Sequence, residues 1–272
     1  AARRHGHLKR CAHRMNDSEN PKKDRAVDDD DAAEDAGPAA GAGPLVTAAQ
    51  IALTEERGHM FGPLDLDLES GGVTRLLAPA SVPRTALLLA LSGRRHLSAG
   101  TLMIMGHTND PRATFKDSAV CCLDEIDGID PAVMVRSIVT EYLRWNSPFF
   151  KWVPKADDAA LRALCSGTFG DVPVPRLGDI VENLPVIQQL LLKISLANIG
   201  RPPLLVVGRL DDVTSDDDQS QVLRRLVELG KGQSIIVGCS NRPPADWNIK
   251  VVDLSDMSAV PTYSTSGQEA SQ

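Results

Sequence analysis

Residues 78–85, which read APASVPRT, stand between an apolar segment that is predicted to be a strand, Val73–Leu77, and an apolar helix that is predicted to begin at Arg84-Thr85 and to run through Leu91. A strand, a loop and a helix start in this order form the geometry of phosphate-binding loops, whose sequence form is GxxxxGK[ST]. Arg84 stands at the lysine position of that form and Thr85 keeps the hydroxyl. The chemistry indicated is phosphate binding, with Arg84 on the phosphate and Thr85 on Mg²⁺.

The loop also departs from that form at both glycine positions, which Ala78 and Pro83 occupy. Glycines let successive backbone amides point at a phosphate, whereas Pro83 removes one amide and Ala78, Ser81 and Val82 add side chains. The same residues therefore fit an ordinary strand-to-helix connection as well as they fit a nucleotide site.

Composition limits the classes of protein that this chain can belong to. Its 272 residues suffice for one large or two small domains, and 42% of them are hydrophobic while only 4% are aromatic. A formal net charge of −7 argues against a nucleic-acid partner. Five cysteines without a CxxC pair favour a reducing compartment. The chain contains no apolar run long enough to span a bilayer and no signal-peptide core, so any work at a membrane would need a partner.

The two ends of the chain differ in composition from its centre. Residues 1–44 combine basic, acidic and Ala/Gly/Pro-rich segments without apolar periodicity, which predicts a disordered tail. Met15 could be the natural start, in which case residues 1–14 would be upstream sequence. Residues 258–272 are rich in Ser, Thr and Gln and are predicted to be a flexible tail.

Between these tails the pattern alternates strands with helices, which favours an α/β fold with a mainly parallel sheet. Alternation of apolar and acidic residues predicts a half-exposed strand at Pro63–Leu68. Further strands are predicted at Thr101–Met105, Ser118–Leu123, Pro203–Val207, Ser234–Val237 and Lys250–Leu254. Helices are predicted at Pro131–Trp145, Asp157–Cys165, Leu184–Asn198 and, with Ser215 as N-cap, Asp216–Leu229.

The order of these features resembles the nucleotide-binding subunit of an ABC transporter over residues 45–255. Leu91-Ser92-Gly93 matches the turn after the family's first helix, and the segment from Ser98-Ala99-Gly100-Thr101 to Gly106 matches its SGTxxxxG strand. Val133-Met134-Val135 matches the turn that follows the glutamine loop, and Leu184–Gln188 stands at the LSGGQ signature. The resemblance implies a P-loop NTPase-like fold with flanking helices, an antiparallel β segment and a small helical subdomain at about 125–183, within a cassette of residues 45–257.

The resemblance also implies a nucleotide site, with ATP and Mg²⁺ as ligands. Its candidate residues are Ser81, Arg84, Thr85, Glu125 at the glutamine-loop position and Gln188 in the signature, and Thr85 is the candidate Mg²⁺ ligand. The family's catalytic carboxylates are missing, because Gly208-Arg209 follows Leu204–Val207 where the family has Asp-Glu. Asp211 and Asp212 would take their place only if the strand end bulged, and no histidine follows the last core strand near 239–241. Val186 and Ile187, at the two central glycine positions of the signature, are read as buried residues that open a core helix.

These departures predict a degenerate cassette that binds nucleotide weakly or not at all and hydrolyses it poorly or not at all. It would attach to the inner face of a membrane through an integral transport subunit, and it could form a homodimer or a heterodimer with another cassette. The alternative is a non-nucleotide interaction module on the same α/β frame. Half of the aromatic residues cluster in one region that could serve either function or could pack the subdomain onto the sheet: Tyr142, Trp145, Phe149, Phe150 and Trp152.

Overall fold

The computed structural model describes residues 43–56, 58–123, 126, 129–148, 150, 152–208, 210–211, 213–241 and 249–257. All of these residues belong to one compact unit, Pro38–Gln272. The two predicted tails lie outside the described residues, apart from Gly43 and Pro44. Glu125, Phe149, Arg209 and Asp212 lie outside them as well.

The described part of the chain contains strands and helices in an order close to the predicted one. The strands are β1 (Pro44–Glu55), β2 (Gly58–Glu69), β3 (Gly72–Leu77), β4 (Ala99–Ile104), β5 (His107–Thr108), β6 (Ser118–Cys121), β7 (Leu204–Val207), β8 (Ser234–Cys239) and β9 (Lys250–Asp253). The helices are α1 (Val82–Leu91), α2 (Pro111–Lys116), α3 (Val135–Trp145), α4 (Asp158–Cys165), α5 (Val186–Ala197) and α6 (Asp216–Gly230), and a 3₁₀ turn spans Val181–Asn183.

A five-stranded sheet in the order β6-β7-β8-β3-β9 forms the centre of the fold, and all its described pairings are parallel. Strand β7 is buried throughout because both faces of the sheet are covered. Leu205 and Val207 pack with apolar residues of α3, α4, α5 and α6, whereas Leu204 and Val206 pack with α1 and the second sheet. Two hydrophobic layers therefore hold this sheet between helices on one side and α1 with an antiparallel sheet on the other.

The second sheet is antiparallel, in the order β2-β1-β4-β5. Its central strand, β1, was not predicted, because a register shift between Ala48 and Ile51 interrupts the alternation of apolar and polar residues. Gln50 in this bulge has a φ of 50°. A Cβ on Gly100 of β4 would lie 2.4 Å from the Gln50 carbonyl oxygen, so the bulge requires a glycine opposite it.

The predicted fold class is confirmed, since the chain combines a parallel sheet, flanking helices and an antiparallel β segment. Several boundaries differ from the predictions: β2 begins at Gly58 and not at Pro63, and α5 begins at Val186 and not at Leu184. Three further differences can be described locally. Helix α1 begins at Val82, two residues before the predicted start, because Ser81 caps it. Strand β6 ends at Cys121, because Cys122 has a φ of 59°. Helix α3 begins at Val135, after a turn at the predicted start. The segment predicted as a helical subdomain contains α3 and α4, and its status as a subdomain stays a prediction.

None of the helices in the described part of the chain is both long and apolar enough to cross a bilayer.

Candidate functional site

The loop that follows β3 uses its polar groups to start helix α1. The Ser81 hydroxyl accepts a hydrogen bond from the Arg84 amide at 3.5 Å and donates one to the Pro79 carbonyl at 3.0 Å. The Thr85 amide donates to the Ser81 carbonyl oxygen at 3.1 Å, and Pro83 has no amide hydrogen. Among the described residues, the first turn of α1 thus leaves only the Val82 amide to an anion, whereas phosphate binding at a helix start uses several amides.

The Arg84 side chain turns from the helix start into the protein, where only 2% of its surface is exposed. Its Nη1 donates to the Ala78 carbonyl oxygen at 2.9 Å and to the Ser240 hydroxyl at 3.1 Å. Its Nη2 donates to Asp211 Oδ2 at 2.7 Å, which makes a salt bridge. The cation at the lysine position of the loop is therefore neutralised and hydrogen-bonded within the chain.

Asp211 holds the other side of this arrangement. It lies in the turn after β7, 19% of its side chain is exposed, and its Oδ1 accepts the Ser240 backbone amide at 2.8 Å. Its Oδ2 also accepts the Ser240 hydroxyl at 3.3 Å. We call Ala78, Arg84, Asp211 and Ser240 the Arg84 network. It connects the ends of three strands that are adjacent in the sheet, β3, β7 and β8.

Two glycines beside this network lie where a side chain would not fit. A Cβ on Gly238 would lie 2.6 Å from the Gly208 carbonyl oxygen, 2.8 Å from Leu88 Cδ1 and 3.6 Å from Arg84 Cδ. A Cβ on Gly208 would lie 2.2 Å from Leu123 Cδ2. Gly208 occupies the first position after β7, where the resembling family has an aspartate, and no larger residue fits there without a shift of its neighbours.

A second buried arginine lies beside the network. Arg75 Nε donates to Cys239 Sγ at 3.1 Å, and its Nη2 donates to the Asn241 carbonyl oxygen at 2.8 Å. Burial raises the pKa of the Cys239 thiol, although the positive charge of Arg75 opposes that shift. Cys239 is thus kept as a neutral, buried thiol packed against an arginine.

The structure brings three of the five candidate nucleotide residues together. Ser81, Arg84 and Thr85 share the first turn of α1, where Thr85 is half-buried. Gln188 is half-buried in the first turn of α5, and no hydrogen bond between described residues connects it with the first turn of α1. Glu125 lies outside the described residues. Assignment of these residues to a nucleotide stays a prediction.

Sequence reasoning missed two residues of the Arg84 network. Asp211 was expected near the site only if the end of the strand bulged, yet it reaches Arg84 from the turn after a regular β7. Ser240 was noticed only as a position without a histidine. The available signal was a basic residue in the loop together with an acidic residue beyond a strand that lacks its usual carboxylates. In a buried site such a pair favours an internal salt bridge.

At the position of the LSGGQ signature, Val186 and Ile187 were both expected to be buried, and this was right for only one of them. Ile187 is buried, but Val186 is exposed at the start of α5, because the helix begins there and only one face of it meets the core.

The aromatic cluster is mostly exposed. Trp145, Phe150 and Trp152 have 59%, 91% and 81% of their surface exposed, while Tyr142 packs against the core and contacts Trp145 with ring centroids 5.2 Å apart. Packing of the helical segment onto the sheet thus accounts for Tyr142 alone among the described members. In the described part of the chain, no group of three or more His, Cys, Asp or Glu side chains could hold a metal ion.

Comparison with known proteins identifies the class of fold. The structure is similar to an ATP-binding protein assigned to an ABC transporter of Pyrococcus furiosus, with a TM-score of 0.60, 12% sequence identity and coverage of 78% of this chain and 98% of that one. It is also similar to CbiO1 from Clostridium perfringens, part of the ABC transporter complex CbiONQ, with a TM-score of 0.57 and 16% identity. That match covers 73% of this chain and 79% of CbiO1. A dimeric ATP-binding cassette solved in a post-hydrolysis state with ADP and Pi gives a TM-score of 0.57 at 13% identity, with coverage of 72% and 88%.

The chain therefore has the fold of the ATP-binding cassettes of ABC transporters, as the resemblance in its sequence implied. No protein-family model and no curated protein sequence matches it. Since identities this low establish the fold alone, function has to be argued from the site.

Proposed function

We propose that this protein is an ABC-type nucleotide-binding subunit with a degenerate site, which binds nucleotide weakly and hydrolyses it poorly or not at all. The observation that carries the proposal is the Arg84 network. The cation that would contact phosphate is buried and bound to Asp211, Ser240 and the Ala78 carbonyl. A triphosphate could use Arg84 only after breaking this salt bridge.

The donor set fits MgATP poorly. Mg²⁺ sites for nucleotides usually combine one or two carboxylates with phosphate oxygens and water, and phosphoryl transfer also needs a positioned water. Gly208 follows β7 where a carboxylate would stand, and the first described carboxylate after β7 in the sequence, Asp211, has both oxygens in hydrogen bonds within the chain. The Thr85 hydroxyl remains the single protein ligand that we propose for Mg²⁺. These residues supply weak affinity at most and no general base for the attacking water.

We further propose that the protein acts at the inner face of a membrane as the partner of an integral transport subunit, in a homodimer or in a heterodimer with another cassette. Three observations support this proposal. The CbiO1 neighbour is part of a transporter complex, and another neighbour is dimeric. A third is the exposed group of Trp145, Phe150 and Trp152, since exposed aromatic residues are enriched at protein interfaces.

Binding and turnover of ATP test the proposal together. We expect no turnover above that of the buffer, and binding of labelled ATP that is weak and strengthened by Mg²⁺. Lys231→Ala, which changes an exposed charge on another surface, provides the matched control for Arg84→Ala. Robust turnover that Arg84→Ala abolishes and Lys231→Ala preserves would refute the proposal. If no ATP binds even at millimolar concentration, the protein is a non-nucleotide module on the same frame.

A further inference from the structure

We propose that Arg84 and Ser240 form a preformed anion-binding site and that Asp211 is its built-in, autoinhibitory occupant. Three donors converge on one carboxylate: Arg84 Nη2 at 2.7 Å, the Ser240 amide at 2.8 Å and the Ser240 hydroxyl at 3.3 Å. A guanidinium, a backbone amide and a hydroxyl are also the donors that proteins use to bind phosphate oxygens. The geometry that excludes phosphate from Arg84 is therefore itself a phosphate-like recognition site.

The donors would keep their positions without the Asp211 carboxylate. Arg84 is also held by the Ala78 carbonyl oxygen, and its stem passes Gly238 within a buried space. Ser240 directly follows β8, whose last residue accepts the Ala78 amide at 3.0 Å through its carbonyl oxygen. Asp211 is more exposed than Arg84, so the position of its carboxylate opens towards solvent and an external anion can reach it.

Competition from Asp211 would make an external anion bind weakly to the natural protein. A carboxylate attached to the same chain acts at a high effective concentration, and the apparent affinity for a competitor falls by the fraction of time that the site is free. Removal of the Asp211 carboxylate is then expected to raise the affinity for inorganic phosphate by about tenfold or more. A factor of that size is comparable to the net contribution of one hydrogen bond to a charged group.

The experiment measures binding of inorganic phosphate by calorimetry at constant ionic strength, with chloride as the balancing anion. Asp211→Ala is expected to bind phosphate at least about tenfold more tightly than the natural protein and to gain thermal stability on its addition. Asp216→Ala, which removes an exposed carboxylate at the start of α6, is the charge-matched control and is expected to bind as the natural protein does. In the double variant Arg84→Met/Asp211→Ala, the gain in phosphate affinity is expected to be lost.

Asp211→Ser guards against a failure of Asp211→Ala to fold. Its shorter side chain leaves a hydroxyl near the network but vacates the position of the carboxylate, so it is also expected to bind phosphate more tightly than the natural protein. Equal phosphate affinity in the natural protein and in every folded Asp211 variant would overturn the proposal, as would a gain that persists without Arg84. The choice of phosphate rests on the proposed function, but the two can fail separately, because ATP turnover by the natural protein refutes only the function.

Discussion

Removal of either member of the buried Arg84–Asp211 pair is expected to destabilise the protein, but by unequal amounts. Asp211→Ala leaves a guanidinium that is 2% exposed without its counter-ion, whereas Arg84→Met leaves a carboxylate that is 19% exposed and keeps the Ser240 amide. Loss of one partner from a buried pair typically costs 3–5 kcal/mol, largely because of the charge that remains. Water can reach the vacated Asp211 position, so the low end of that range, about 3 kcal/mol, is expected for Asp211→Ala.

Arg84→Met is expected to cost less, about 1–2 kcal/mol, because methionine retains most of the buried stem and the carboxylate left behind can be hydrated. The double variant Arg84→Met/Asp211→Ala should have a free energy of unfolding close to that of Arg84→Met alone. Without Arg84 there is no buried cation for the loss of Asp211 to leave unpaired. This non-additivity corresponds to a coupling free energy within the 0.5–3 kcal/mol that contacting residues show.

Urea denaturation at fixed pH and ionic strength measures these differences. Glu228→Gln is the matched control, because its ion pair with Lys231 at 2.6 Å lies on the surface and its loss should leave the unfolding midpoint unchanged. The reasoning would be refuted if Arg84→Met destabilised the protein more than Asp211→Ala, or if the effects of the two single substitutions added.

Three further predictions concern other parts of the fold. Gly93→Ala should lower the free energy of unfolding by about 1–3 kcal/mol in urea titrations, because Gly93 has a φ of 69° and its Cβ would lie 2.4 Å from a carbonyl oxygen of α2. Burial raises the pKa of the Cys165 thiol to about 11, so the free energy of unfolding should fall between pH 9 and 11, as the unfolded thiol loses its proton first, and Cys165→Ala should reduce that fall. Trp152→Ser should change stability by no more than about 0.5 kcal/mol, in contrast to about 2–5 kcal/mol for the fully buried Leu191→Ala, when both are measured by the same titration.

Regular elements of this protein could be predicted because their signals are local. The apolar run at β7 and the Ser215 cap of α6 both appear in the structure at the predicted places. Strand β1 could not be predicted in the same way, because its bulge interrupts the period of two. The observed ends of α1 and β6 differ from the predicted ones because the Ser81 cap and the left-handed backbone of Cys122 outweigh the apolar pattern.

The sequence by itself determined the α/β frame and the chemical character of the loop, since an arginine and two side chains in place of bare glycines were visible in residues 78–85. Only the tertiary structure decided what the arginine does. Its partners Asp211 and Ser240 are 127 and 156 positions away along the chain, and neither carries a motif. They meet because β3, β7 and β8 end at the same edge of one parallel sheet, and their approach depends on packing across the sheet that no local pattern encodes.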